Sequence, residues 1–226
     1  MELPDAFLFD LDGTLIDSVP DLTEAINRVL VSRGFTATQE AEVRNWVGDG
    51  SRRLVERSLA HSQEGPPSEQ MLESCYLEFH DHYAECCMDR TIIFEHATEL
   101  LQWLRSREVR TAIVTNKPDR HAQVLLAHWS KRLPMDVVVG EQSDRPRKPD
   151  PSMLIEAMEA CRADSAWMIG DSEVDSAAAQ AAGADFIGVR LGYNHGRDIA
   201  DADPSPKAVF DDLGDLLHWL QDTFQS

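Results

Sequence analysis

The sequence predicts an α/β protein: a parallel β-sheet flanked by helices, with a purely helical segment inserted near the start of the chain. Three observations predict it. From residue 91 onward, short apolar runs rich in β-branched residues alternate with helical repeats, a pattern that requires right-handed crossovers and parallel strands. Between about Asp17 and Arg90 only the helical repeat occurs. The first apolar run, Ala6-Phe7-Leu8-Phe9, ends in Asp10-Leu11-Asp12-Gly13-Thr14, and the strand ends of an open sheet are where ligands bind. The expected division is a core of residues 1–16 and 91–226 and a helical cap of residues 17–90.

The elements follow in order. Four apolar residues bounded by Asp5 and Asp10 read as a short buried strand. After Asp17-Ser18-Val19-Pro20, the residues Leu22, Ala25, Ile26, Val29 and Leu30 repeat at helical spacing, and Gly34 is placed to end that helix. Helical stretches at Gln39 to Trp46 and Arg52 to Leu59 are joined by Val47-Gly48-Asp49-Gly50. After a loop from His61 to Ser68, a long amphipathic helix carries Met71, Leu72, Cys75, Tyr76, Phe79 and Tyr83. In the second part, strands are expected at Thr111 to Thr115, Asp136 to Val139, Trp167 to Ile169, Phe186 to Val189 and Ala208 to Phe210. Helices are expected at Thr98 to Arg107, Asp119 to His128, Pro151 to Ala160, Glu173 to Ala182 and Leu213 to Phe224, with a surface loop at Asp198 to Pro206.

Composition narrows the function. Asp and Glu number 40 against 21 Lys and Arg, a net charge of −19, and such a field repels nucleic acid and anionic membranes. It also repels phosphorylated substrates, so any phosphate site must be locally positive. No run approaches the length of a membrane span and no basic leader opens the chain, so a cytoplasmic location is expected. Cys75, Cys86, Cys87 and Cys161 show no metal or redox spacing and read as reduced thiols. His80 and His82, two apart on a helix, face different ways and do not form a metal pair.

Four stretches fall at strand ends and carry the candidate chemistry. Gly13 lets the chain turn sharply, so Asp10 and Asp12 can enter one crevice, where a divalent cation such as Mg²⁺ would relieve their repulsion. The bland alternative is a solvated acidic loop. Thr115-Asn116-Lys117-Pro118 offers a hydroxyl and backbone N–H groups for phosphate oxygens, although a strand-end Thr is usually structural. Lys148, one of four lysines, sits between Arg147 and two prolines that fix its place, whereas a lysine in an ordinary loop is solvated. Gly170-Asp171-Ser172 would project Asp171 toward Asp10, and Asp175 either supports that site or merely caps the following helix.

These four stretches, in this order, resemble the four signatures of the haloacid dehalogenase superfamily, a Rossmann-like fold whose members are mostly Mg²⁺-dependent phosphatases working through an aspartyl-phosphate. The resemblance implies that Asp10 is the nucleophile and that Asp12 protonates the leaving group and later deprotonates water. It implies Mg²⁺ on the Asp10 side chain, the Asp12 carbonyl and Asp171, with Thr115, Lys148, Asn116 and Gly13 around the phosphoryl group. True haloacid dehalogenases lack the second aspartate, which is present here as Asp12. Phosphonoacetaldehyde hydrolases need a cap lysine, and the first lysine here is Lys117.

Val47-Gly48-Asp49-Gly50, Val114-Thr115-Asn116-Lys117-Pro118 and Leu191-Gly192-Tyr193-Asn194-His195-Gly196 resemble bacterial phosphoglycolate phosphatases. This implies hydrolysis of a small phosphorylated metabolite, 2-phosphoglycolate, by a monomer or homodimer. The alternatives are a sugar-phosphate phosphatase, for instance on N-acetylmuramic acid 6-phosphate, a β-phosphoglucomutase-like mutase, or a non-catalytic phospho-binding module. A substrate carboxylate would want a cation from the cap, and Arg52 or Arg53 is expected to supply it. The plainer reading is a solvated basic face balancing Glu56.

Overall fold

The computed structural model describes residues 2–143 and 145–224. Strand β1 (Ala6–Phe9) leads through the acidic loop to the two-residue β2 (Ile16–Asp17), then to helices α1 (Val19–Ser32), α2 (Glu40–Arg44), α3 (Ser51–Ser62) and α4 (Glu69–Cys86). The chain returns through β3 (Ile92–Ile93) and α5 (Ala97–Ser106) to β4 (Arg110–Pro118), α6 (Asp119–His128), β5 (Val137–Glu141) and α7 (Ser152–Cys161). It ends with β6 (Ala166–Gly170), α8 (Glu173–Ala182), β7 (Asp185–Val189), β8 (Ala208–Phe210) and α9 (Leu213–Thr223). Six strands form one sheet in the order β5-β4-β1-β6-β7-β8, every pairing parallel. The outcome is the α/β class expected from the alternation.

β1 is central because it is apolar on both faces. Its four residues are fully buried and pair with β4 on one side and β6 on the other. Successive side chains leave opposite faces of a strand. Phe7 and Phe9 therefore join one cluster with Ile113, Trp167 and Ile169, while Ala6 and Leu8 join the other with Ala112, Val114 and Met168. β1 and β6 consequently end side by side while β4 runs on to Pro118, and Asp10, Thr115 and Asp171 come together at the C-terminal end of these strands.

Three details depart from the sequence reading. β2 and β3 pair antiparallel, Ile16 with Ile93 and Asp17 with Ile92, where no strand was expected. Two residues are too few to show a period, and the ribbon ties the point where the chain leaves for the helical segment to the point where it returns. The segment Asp198 to Pro206 is not simply a surface loop, since it holds a 3-10 turn with Ile199 and Ala202 buried. Ile199 packs where Gly188 of β7 has no side chain: a Cβ there would lie 3.0 Å from its Cγ1. Helix α3 runs longer than expected at both ends, from Ser51 to Ser62.

The helical segment is a bundle in which α1 and α3 pack on α4, burying Leu72, Cys75, Phe79 and Tyr83 of its inner stripe. All four cysteines are free and buried. Among the described residues no helix is long and apolar enough to cross a membrane. The return from the bundle is fixed by Asp21, only 1% exposed. Its carboxylate accepts from the backbone N–H of Arg90 at 2.9 Å, from the N–H of Thr91 at 2.8 Å and from the Thr91 hydroxyl at 2.6 Å. Bonds to a charged acceptor are the stronger kind, and an amide there would turn donors against donors. Asp21→Asn is therefore expected to lower stability by about 3 kcal/mol in urea unfolding; an unchanged midpoint would contradict this role.

Candidate active site

The strand-end residues converge. Asp10, Asp171 and Asp175 each present a carboxylate oxygen within 4.8 Å of the others. Lys148 enters their midst from the loop after β5: its Nζ lies 3.0 Å from Asp10 Oδ1 and donates to Asp175 Oδ1 at 2.6 Å and the Val114 carbonyl at 2.7 Å. Thr14 and the Tyr193 N–H hold Asp171 by 2.9 Å and 2.8 Å bonds. Asp171 also fills space that two glycines leave open. A Cβ on Gly13, whose φ is +91°, would come within 2.6 Å of its carboxylate, and one on Gly192 within 2.0 Å.

Burial sets the electrostatics. It pushes the Asp10 carboxyl up to about 6, with Lys148 opposing and Asp175 and Asp12 adding to the rise. Asp171 is raised well above the ordinary carboxylate range, first by burial and then by the charges of Asp175 and Asp10. Burial alone would lower Lys148, but Asp10 and Asp175 outweigh it and raise its pKa. Asp10 Oδ1 nevertheless lacks a properly directed hydrogen bond although it is buried. Hard oxygen donors in excess, one of them orphaned, suit a divalent cation such as Mg²⁺. Asp175 combines both expected roles: Oδ2 accepts from the N–H and hydroxyl of Ser172, capping α8, while Oδ1 holds Lys148.

Asp12 turns away from that cluster. Its carboxylate accepts from Ser18 at 2.5 Å and from Lys117 Nζ at 2.9 and 3.1 Å. The buried Thr115 hydroxyl accepts from the Lys117 N–H, and Asn116 accepts from the Lys148 N–H at 2.9 Å while donating to the Lys148 carbonyl at 3.1 Å. Asn116 thus positions the lysine loop.

The helical segment packs over this floor. Asn116 donates to the Gly48 carbonyl at 3.3 Å, Arg147 to the Asp49 carbonyl at 3.3 Å, and His195 meets the Asn45 carbonyl at 2.9 Å. Tyr193 donates to Asp17 at 2.8 Å, and Arg44 reaches the same carboxylate across the Tyr193 ring. The Leu191 to Gly196 motif is thereby explained: it braces Asp171 and reaches to the bundle. Between floor and bundle remains a cavity of about 40 Å³, lined by Asp10, Asp12, Thr115 and Asn116 below and Leu22, Leu54 and Phe79 above.

Arg52 and Arg53 are not among its lining residues. Arg52 is held outside by Glu69 at 2.5 Å and Glu73 at 3.0 Å, and Arg53 by Glu56 at 2.6 Å. These acidic neighbours, on α4 and one turn along α3, satisfy both guanidinium groups, which is the solvated basic face of the plainer reading.

The model of the haloacid dehalogenase-like hydrolases matches residues 7–189. The chain belongs to that family. It is 39% identical over 218 residues to a phosphoglycolate phosphatase of Pseudomonas putida, covering 95% of this chain and 79% of that protein. A phosphoglycolate phosphatase of Psychrobacter arcticus is 36% identical, with 94% of each chain covered. A crystal structure from Haemophilus somnus, described as a predicted phosphoglycolate phosphatase, superposes with a TM-score of 0.89 at 29% identity, covering 98% of this chain and all of that one. This member of the haloacid dehalogenase-like hydrolases is thus similar to phosphoglycolate phosphatases along nearly its whole length.

Sequence reading missed two features of the site. Lys117, read only as part of a loop, is buried against Asp12 and lies 4.7 Å from the centre of the Tyr83 ring. His80 of α4 and His121 of α6 form a buried pair, Nδ1 to Nε2 at 2.9 Å, that lines the cavity, with Ser51 3.4 Å from the other His80 nitrogen. Neither had a sequence signal, because the partners are remote in the chain. Burial lowers His80 to about 4, with Arg120 and Lys117 adding to the effect, and His121 to about 3, with His80, Lys117 and Arg120 adding to it. Both rings stay neutral in the native state while unfolded rings protonate near 6.5. The pair costs nothing above that pH and destabilises increasingly below it. Between pH 7 and about 5, His80→Gln/His121→Gln is expected to lose less stability than the parent in urea unfolding; an equal loss would contradict a neutral buried pair.

Proposed function

We propose that this hydrolase is a Mg²⁺-dependent phosphatase that cleaves a small phosphate monoester, 2-phosphoglycolate, through an aspartyl-phosphate on Asp10. The observation that carries the proposal is the Asp10 carboxylate itself, buried at the end of the central strand with one orphaned oxygen beside the buried Lys148 ammonium. The chain's similarity to phosphoglycolate phosphatases supports the substrate.

Asp10 would attack phosphorus in line, forming an acyl-phosphate bond as the ester P–O bond breaks. Asp12, fixed by Ser18 and Lys117 on the leaving-group side, would act from its protonated form, taken up with the substrate, and pass that proton to the departing alkoxide as the P–O bond breaks. It would later take one from the water that attacks phosphorus and frees phosphate from Asp10. Thr115 and Lys148 would hold the equatorial oxygens, with Asn116 keeping the Lys148 loop in place. Mg²⁺, held by Asp10, Asp171 and the Asp12 backbone carbonyl, would supply neutralising charge to the nucleophile and the phosphoryl group. On this reading residues 17–90 are a cap that opens to admit substrate and closes to exclude water, and residues 1–16 and 91–226 are the catalytic core.

The test is release of inorganic phosphate from 2-phosphoglycolate. Turnover is expected with Mg²⁺ and is expected to vanish on chelation, and Asp10→Asn is expected to lower kcat at least about a thousandfold. Parental turnover by that variant, or activity indifferent to chelation, would overturn the scheme.

A further inference from the structure

The carboxylate of a substrate such as 2-phosphoglycolate needs a cation, and the two arginines expected to supply it are engaged elsewhere. Among the residues that line the cavity, Lys117 is the only Lys or Arg. Lys148 lies deeper and is already engaged by Asp10, Asp175 and the Val114 carbonyl. A lysine ammonium has three N–H donors. Two of those on Lys117 go to the two oxygens of Asp12, and the third has no hydrogen-bond partner among the described residues, facing only the Tyr83 ring. Tyr83, whose hydroxyl is buried without a partner, lines the same cavity. Apart from Asp10 and Asp12 on the floor, the walls named above are apolar or uncharged: Leu22, Leu54, Phe79 and the His80–His121 pair, which burial keeps neutral.

We propose that Lys117 is the specificity-determining residue that recognises a carboxylate carried one carbon from the scissile ester oxygen. The proposal rests on the phosphatase reading above and names what that site selects. Asp12 must touch the ester oxygen to protonate it, and in a phosphoglycolate-like ester a single methylene separates that oxygen from the carboxylate. The ammonium that grips Asp12 at 2.9 Å is therefore within reach of the substrate's second anion, and its spare donor is the group to meet it. Lys117 is the one Lys or Arg in that lining, and its donor not used by Asp12 is the one that can meet an added carboxylate. A substrate with a neutral leaving group leaves that donor unused, and a cationic one is repelled.

The experiment compares 2-phosphoglycolate with 2-hydroxyethyl phosphate, which is of similar size and lacks the carboxylate, in the parent and in Lys117→Met. The parent is expected to favour 2-phosphoglycolate in kcat/KM, and Lys117→Met to lower that preference about tenfold or more, chiefly through KM. Binding of the non-hydrolysable 3-phosphonopropionate is expected to weaken to a similar extent, while propylphosphonate binding stays within about twofold. A parent without preference for either carboxylate ligand over its neutral counterpart would overturn the proposal with no variant needed. Equal losses on both esters would also overturn it, placing Lys117 as a positioning residue for Asp12 alone. In both of those cases Mg²⁺-dependent phosphate release by the parent keeps the phosphatase reading intact. Only a parent that turns over neither ester, nor p-nitrophenyl phosphate, removes both.

Discussion

Everything in this molecule is built around the charge buried at the end of β1. Three carboxylates, Asp10, Asp171 and Asp175, share a crevice with one ammonium, Lys148, which leaves two negative charges unmatched. Burying unpaired charge costs several kcal/mol per group, and a chain can relieve it only by protonation or by a bound counter-ion. The raised pKa values of Asp10 and Asp171 express the first route. A divalent cation would provide the second with matching charge, so the cost of the unmatched charge would be returned as affinity for metal. The parallel sheet makes this possible, because β1, β4 and β6 are neighbours running the same way and their C-terminal ends are open to polar residues.

The second ion pair does a different task. Asp12 and Lys117 neutralise each other above the crevice, and their geometry is set by α4, whose Tyr83 supports the lysine. The helical bundle therefore shapes the Asp12 side of the cavity through packing more than through charges of its own. Arg52 and Arg53 pair with glutamates of the bundle, while its hydrogen bonds to the core include backbone carbonyls at Gly48, Asp49 and Asn45 beside the Tyr193–Asp17 and His80–His121 contacts. Such bonds are individually modest and easily exchanged for water, which would suit the opening and closing proposed for this segment.

Much of the core was legible in the sequence because its signals are local. The four apolar residues of β1, the alternation of strand and helix after residue 91, and the Asp10, Thr115, Lys148 and Asp171 stretches all declare themselves within a few positions. What was illegible depends on partners distant in the chain. Asp21 is an unremarked acidic residue in a helix until the return of the chain brings the Arg90 and Thr91 amides to it. His80 and His121, from separate helices, meet only when the bundle settles on the core. The partners of Arg52 were hidden for the same reason, since α4 delivers Glu69 and Glu73 to it, whereas Glu56 beside Arg53 is local and was legible.

The most direct test of the central claim, that unmatched buried charge makes this crevice a metal site, is thermal unfolding of the intact chain with and without Mg²⁺. A ligand that binds the native state alone raises the apparent Tm with its concentration. Millimolar Mg²⁺ is expected to raise the Tm of the parent and to leave that of Asp171→Asn, which removes one of the unmatched charges, nearly unchanged. A parent whose Tm does not respond to Mg²⁺, or a variant that responds equally, would contradict the account.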